Sequence, residues 1–341
     1  MAAEVLPLIE TEKALIEQMT TPSAAVRQAV ARMDGDILIL GVAGKMGPTL
    51  AELLVRAGAE KVIGVSRFSN AGQRDYLESV GVETVRADLL DEGALASLPD
   101  APNVYLLAGH KFGATGNEAL TWAMNTWLPA RVMQRYAGSR IAYVSSGNVY
   151  AYTDVEGRGA AEGDELGPIG EYAQSRLGGE RLAEYLAQRL DTPLVTVRLF
   201  YAAELRYGII HDIAWKVYQE EAIDLSMGYV NQIWQGDANS YLARILPRCT
   251  SPVTLVNMTG AGVLSVRQLA AQLGELLGRE PIFIGEESAT ALLGDATRCL
   301  EEFGPPCIGP EQIVRWMAHW VRIGGATLGK PTKYESRSGK F

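Results

Sequence analysis

Asp36-Ile37-Leu38-Ile39-Leu40-Gly41-Val42-Ala43-Gly44-Lys45-Met46-Gly47 is the stretch that decides the fold. Its first five residues are a short apolar run that stops at glycine, as a buried parallel strand does. The next seven spell G-x-x-G-x-x-G and lead into a helix expected over 48–57. Glycine allows the tight turn and lets backbone N–H groups approach a pyrophosphate. The helix adds the positive end of its dipole to the same charge. The spacing differs by one residue from the G-x-G-x-x-G fingerprint. A glycine-rich turn between strand and helix is also met as pure structure, so its neighbours decide. At the head of a strand–helix–strand run it predicts a dinucleotide cradle made of Gly41, Gly44, Lys45, Met46 and Gly47.

Those neighbours supply the run. Strands are expected at 61–65, 83–87, 103–107, 140–144 and 194–199, and helices at 71–80, 117–136 and 172–189. The alternation predicts an α/β chain, a Rossmann-type doubly wound parallel sheet with right-handed crossovers. After residue 200 the pattern loosens. Helices are expected at 208–222, 265–277 and 310–323, a strand or loop passing into a helix over 231–246, and a strand at 252–257 that returns to the sheet. Two helices, 3–19 and 23–33, precede the core and are punctuated by Thr21-Pro22-Ser23. The tail 325–341 reads as extended. This gives a helical N-terminal extension over 1–34 and an NAD(P)-binding domain over 35–200 that includes the returning strand. Residues 201–341 are then mainly a smaller, interleaved substrate-binding domain.

Composition narrows the function. The chain has 341 residues, 48% hydrophobic and 21% charged, with a net charge of -9. An acidic total argues against a nucleic-acid binder, which presents a basic face. Cys249, Cys299 and Cys307 are odd in number and far apart, so no disulfide framework is legible and a reduced, cytoplasmic setting is expected. Three scattered histidines make no zinc site, and no metal is expected. The first twenty residues lack the basic-then-apolar pattern of a signal peptide, and no apolar run is long enough to span a membrane.

The residue closing the second strand selects the dinucleotide. An acid there binds the ribose hydroxyls of NAD. Ser66 followed by Arg67 suits a 2′-phosphate, which favours NADP over NAD. Lys45 would add positive charge nearby. Asp88, after the third strand, is placed for the adenine amine. Leu89 beside it, with Leu107, Ala108 and Gly109 after the fourth strand, completes the expected groove.

Three further segments stand in order: Met124-Asn125-Thr126, Val144-Ser145-Ser146-Gly147-Asn148-Val149-Tyr150, and Tyr172-Ala173-Gln174-Ser175-Arg176. With the glycine loop and Asp88 they resemble the extended short-chain dehydrogenase/reductase superfamily, in its NAD-dependent epimerase/dehydratase branch, over roughly residues 35–320. The resemblance implies that Tyr172 is the acid/base on a carbinol or carbonyl oxygen, that Ser146 hydrogen-bonds the same oxygen, and that Asn125 organises the site. It implies a cation one helical turn after the tyrosine that favours the phenolate and holds the nicotinamide ribose. The family lysine is Arg176 here. Arginine keeps the charge and cannot release a proton in a relay.

The resemblance further implies an NAD(P)-dependent oxidoreductase or epimerase acting on a sugar or sugar-derived hydroxyl, and a homodimer built on helices such as 117–136 and 172–189. Lys111, Ser146, Asn148 and Tyr201 are expected at the substrate. Relatives that handle nucleotide-sugars carry an asparagine just after the sixth strand and an arginine for the pyrophosphate. This chain has Arg198-Leu199-Phe200-Tyr201-Ala202 and Val230 there. A sugar or sugar acid therefore competes with a nucleotide-sugar as substrate. Arg206, His211 and Lys216 lie in the substrate half, within possible reach of a carboxylate. A catalytically degenerate, dinucleotide-binding regulator or scaffold is the alternative function that Arg176 keeps open.

Overall fold

The run Ile37–Leu40 is buried at every position and forms β1, an interior strand of the sheet. The computed structural model describes residues 6–111 and 113–340. Six more parallel strands join β1: β2 (Val62–Ser66), β3 (Glu83–Arg86), β4 (Asn103–Leu106), β5 (Arg140–Ser146), β6 (Leu194–Leu199) and β7 (Thr254–Met258). Their order across the sheet is β7-β6-β5-β4-β1-β2-β3. β1 pairs with β2 on one side and β4 on the other. The strand order therefore reverses at β1, and a crevice opens beyond the carboxyl ends of β1 and β4. The expected returning strand is β7, in register with β6 from Thr254↔Val195 to Met258↔Leu199.

The expected N-terminal helices are shorter than the sequence suggested. They are α1 (Glu12–Thr20), capped by Thr11, and α2 (Ala24–Val30), capped by Ser23. The start of the expected helix 3–19 falls partly outside the described residues, and residues 6–10 have no regular structure. The extension is bound to both halves of the molecule. Thr20 Oγ1 donates to Glu52 on α3 (Gly47–Arg56) at 3.2 Å, and Arg56 pairs with Glu17. Trp234 Nε1 donates to Gln18 at 2.7 Å, and Arg206 pairs with Glu12 at 2.9 Å.

After β2 come α4 (Ala71–Ser79) and α5 (Glu92–Ala96). The expected helix 117–136 is three pieces: α6 (Glu118–Trp122), a π-helical segment Ala123–Trp127, and α7 (Leu128–Arg135). The wider turn lies at Asn125, and π segments mark functional positions more often than chance. Next is α8 (Gly170–Leu190), 21 residues long.

The second half carries α9 (Ile209–Gln219), α10 (Gln235–Leu242), α11 (Val266–Leu277), α12 (Thr297–Phe303) and α13 (Pro310–Arg322). Its core includes Trp234 and Trp316, each 1% exposed, with ring centres 5.4 Å apart. The tail is extended, as expected, but it is packed. Leu328 N donates to the Arg206 carbonyl, Thr332 to Asp212, and Arg337 to the Thr290 carbonyl, while Tyr334 is buried.

One ion pair lies inside the core. Arg198 on β6 meets Glu180 on α8 at 2.8 Å, and the two side chains are 2% and 4% exposed. Arg198 also donates to Tyr150 Oη, which donates to Asn257 Oδ1 at 2.8 Å. This satisfied network ties β6, β7 and α8 to the segment after β5. No helix among the described residues is long and apolar enough to cross a membrane.

Candidate functional site

The glycine loop shows why two of its three glycines are required. Gly41 sits at φ +90°, and a side chain there would meet Ala108 N at 2.6 Å. A Cβ on Gly47 would lie 2.1 Å from the Val42 carbonyl oxygen. Both are fixed by backbone packing against backbone. Gly44 is exposed on the rim of the groove, and a Cβ there would meet only the Gly41 carbonyl, at 3.1 Å. The cradle is therefore drawn tight beneath and left bare on its outer side, which fits a pyrophosphate approaching the backbone at the N-terminus of α3.

Around the loop lies an open groove of about 460 Å³. Its walls include Gly41, Gly44, Ser66, Arg67, Asp88, Leu89, Leu107, Ala108 and Gly109, all of them expected positions. Asp88 Oδ1 accepts from Leu90 N at 3.0 Å, a local turn that fixes its carboxylate at the wall. Burial, and then the Arg67 charge, hold the His110 imidazole below its usual range. Gln73 and Lys330 also face this groove. Sequence reasoning missed them, because α4 carries no motif and the tail offers no pattern tying it to the loop.

A second cavity, about 130 Å³, lies at the carboxyl end of β5. Ser145, Ser146, Asn148, Tyr172, Tyr201 and Lys111 line it, together with Lys45, Met46 and Tyr207. β5 carries Ser146 into a 3-10 turn over Gly147–Val149. The Ser146 hydroxyl donates to Asn148 Oδ1 at 3.0 Å and accepts from Asn148 N at 3.2 Å. A Cβ on Gly147 would strike the Phe200 ring at 2.5 Å, so the turn can follow this path only with glycine. The first turn of α8 delivers Tyr172, which is 8% exposed.

Asn125 holds the region behind the cavity together. Its side chain accepts from His110 N at 2.8 Å and donates to the His110 carbonyl at 2.9 Å and to Ser175 Oγ at 3.0 Å. Ser175 in turn donates to the Tyr172 carbonyl at 2.8 Å. The π segment thus links the end of β4 to the start of α8.

Two side chains go elsewhere than expected. Lys45 turns its ammonium away from Ser66 and Arg67. It donates to the Ala202 carbonyl at 2.6 Å and lies 4.9 Å from the centre of the Tyr207 ring. Arg176 lines neither the groove nor the cavity. Its guanidinium donates to the Val144 carbonyl and lies 5.2 Å from the centre of the Tyr143 ring, and the residue is 4% exposed. A Cβ on Gly109 would come within 2.7 Å of its Nη1. The guanidinium expected at the ribose thus rests on a strand carbonyl and a ring. The physical reason is that arginine's long planar head reaches the carbonyl of a strand and the face of a ring.

Burial brings the Lys45 ammonium down to about 7, against the pull of Glu204, and brings Lys111 down to about 8, against the pull of Asp212. Lys111 faces the rings of Tyr172 and Tyr201, at 5.8 and 5.5 Å. The three basic residues of the substrate half singled out for a carboxylate lie against acids already. Arg206 meets Glu204 and Glu12, His211 meets Asp212, and Lys216 meets Glu335. The cysteines form no disulfide, and no cluster of metal-ligating side chains occurs among the described residues.

Residues 37–203 match the NAD dependent epimerase/dehydratase family. That segment, just under half of the chain, belongs to the family. Solved structures share the fold. A UDP-glucose 4-epimerase from Thermotoga maritima, with UDP-glucose, aligns with a TM-score of 0.71 at 17% identity, over 84% of this chain and 98% of the other. A UDP-glucuronic acid 4-epimerase from Bacillus cereus, in complex with NAD, gives 0.69 at 17% identity over the same shares. A curated relative, a hybrid PKS-NRPS synthetase of Penicillium crustosum, is 29% identical over 210 residues. That match takes in 57% of this chain and 5% of the relative's length.

Proposed function

We propose that the chain is an NAD(P)-dependent oxidoreductase or epimerase acting on a hydroxyl of a sugar or sugar-derived substrate, with Tyr172 as the acid/base. The observation that carries this reading is that Tyr172 and Ser146 line one cavity, and that this cavity is reached along the chain directly after the groove residues Ala108 and Gly109. A bound nicotinamide dinucleotide supplies the hydride acceptor. The Tyr172 phenolate takes the hydroxyl proton as the carbinol is oxidised, and Ser146 donates a hydrogen bond to the same oxygen. Asn125 keeps the start of α8 in register with β4, and Arg176 fixes the end of β5 from below. Were the ketone reduced again on its other face before release, the net result would be epimerisation. Release of the ketone gives net oxidation.

NADP is the favoured dinucleotide, because Ser66 and Arg67 face the groove where NAD-binding relatives place an acid. A homodimer on the α6–α7 and α8 faces is part of the proposal. Large side chains stand exposed on both, Leu120 and Trp127 on one and Leu182 and Tyr185 on the other. The domain division of the sequence reading is kept: an extension over 1–34, the dinucleotide domain over 35–200 and the substrate domain over 201–341.

Two measurements test the reading. Mass spectrometry of the dinucleotide that copurifies distinguishes NADP from NAD. Absorbance of the reduced nicotinamide, followed against sugars, sugar acids and nucleotide-sugars, reports turnover. Tyr172→Phe is expected to abolish turnover and retain dinucleotide binding. Full activity in that variant would refute the mechanism. A protein that binds dinucleotide and turns over none of the substrates would be the regulator or scaffold instead.

A further inference from the structure

The cavity at the end of β5 has an unusual wall. Two lysines reach it from different elements, Lys45 from the glycine loop and Lys111 from the segment after β4. Both are half-buried, and the rest of the lining is hydroxyl, amide, aromatic and, at Met46, Leu199 and Ala202, aliphatic, with no carboxylate in it. The acids whose charge acts on the lysines, Glu204 and Asp212, are not in the lining. Glu204 is already bound to Arg206 at 3.0 Å, and Asp212 accepts from Thr332 at 2.8 Å. A cavity of about 130 Å³ takes only part of a sugar-sized ligand, and both lysines line it.

We propose that this cavity is built for a substrate carrying a carboxylate near its reacting carbinol, with Lys45 and Lys111 as the residues that select the anion. The inference rests on the oxidoreductase reading above, since it gives that site a substrate class. Lys45 fits the role through its direction. It stands in the cofactor loop, yet its ammonium is held toward the substrate side by the Ala202 carbonyl and the Tyr207 ring. That arrangement uses one N–H for the carbonyl, and an ammonium has three to give. Lys111 brings its charge over the Tyr172 ring, so an anion bound to it sits beside the acid/base. Desolvation has lowered both ammonium groups, and an arriving carboxylate favours their charged form. A neutral sugar offers no such compensation. The recognition is therefore a difference in affinity between two ligands of the same shape.

Calorimetric titration of the dinucleotide-loaded protein tests this with four probes: D-glucuronate, D-glucose, UDP-glucuronic acid and UDP-glucose. The acid of at least one pair is expected to bind about tenfold or more tighter than its neutral partner, as for a hydrogen bond to a charged group. Lys45→Met and Lys111→Met should each reduce that preference, and the double variant should remove it. A separate titration of each unloaded variant with dinucleotide reports that the loop is intact. Equal affinity within both pairs, or a preference that survives the double variant, overturns the anion site and leaves the sugar reading standing. Binding of dinucleotide with none of the four probes bound overturns both together.

Discussion

Replacing Arg176 with methionine separates two accounts of the cation that follows Tyr172. If the residue holds the nicotinamide ribose, the substitution acts on dinucleotide affinity. In the structure it acts on stability. The guanidinium is buried, donates to the Val144 carbonyl and lies over the Tyr143 ring at 5.2 Å. Loss of a hydrogen bond from a charged group costs about 1.5–3 kcal/mol. Loss of a desolvated cation–π contact costs about 2 kcal/mol. Removal of a buried charge gives part of this back, the more so because Arg176 Nε has no hydrogen-bond partner among the described residues. A net destabilisation of about 2 kcal/mol is expected. With an unfolding slope of about 3 kcal/mol/M, the urea midpoint falls by roughly 0.7 M. The dinucleotide dissociation constant, measured by fluorescence titration of the reduced cofactor, should rise by less than the roughly tenfold of one lost charge-assisted contact. An unchanged urea midpoint together with a large loss of affinity would refute this placement of Arg176.

Other substitutions test the scaffold. Gly47→Ala sets a methyl group 2.1 Å from the Val42 carbonyl oxygen, so dinucleotide binding should fall by more than an order of magnitude in an equilibrium titration. Arg198→Leu leaves Glu180 buried without its partner and should cost about 3–5 kcal/mol in urea unfolding. The double variant with Glu180→Leu should recover much of that loss. The two depressed lysines give opposite pH signatures in stability and in carboxylate binding. Between about 7 and the ordinary lysine range for Lys45, and from about 8 upward for Lys111, the unfolded chain holds protons that the folded chain has released. Their contribution to stability therefore grows as pH rises through that window. Carboxylate binding should weaken over the same rise as the ammonium groups lose their charge. The groups facing them are Glu204 and Arg206 for Lys45, and Asp212, Tyr172 and Tyr201 for Lys111, so the Lys45→Met and Lys111→Met variants serve as the controls. For the assembly, Tyr185→Glu should halve the mass measured by light scattering.

Where the sequence was legible, a local pattern had one structural outcome. Ile37–Leu40 and Arg140–Ser146 are apolar runs closed by glycine or serine, and they became β1 and β5. It was least legible where contacts distant in sequence decide. The π segment at Asn125 has no periodic signature, since it follows from where β4 and α8 lie. The short helices α5 and α12 were missed because five and seven residues carry too little periodicity. The ends of the N-terminal helices depend on capping by Thr11 and Ser23, which fixes boundaries more finely than hydrophobic spacing does.

The sequence by itself determined the alternation of strands and helices, the glycine loop between β1 and α3, and the segments that carry Ser146 and Tyr172. These follow from residue type and short-range spacing, through backbone freedom at glycine and the faces of strands and helices. Only the tertiary structure decided which way the long cations point. A lysine or arginine head lies several flexible bonds from its backbone, so its position is set by whichever carbonyl, ring or acid the fold brings within reach. Lys45 found the Ala202 carbonyl on the substrate side, and Arg176 found the Val144 carbonyl beneath it. The carbonyl that Lys45 meets stands 157 residues further along the chain, a separation no local pattern encodes.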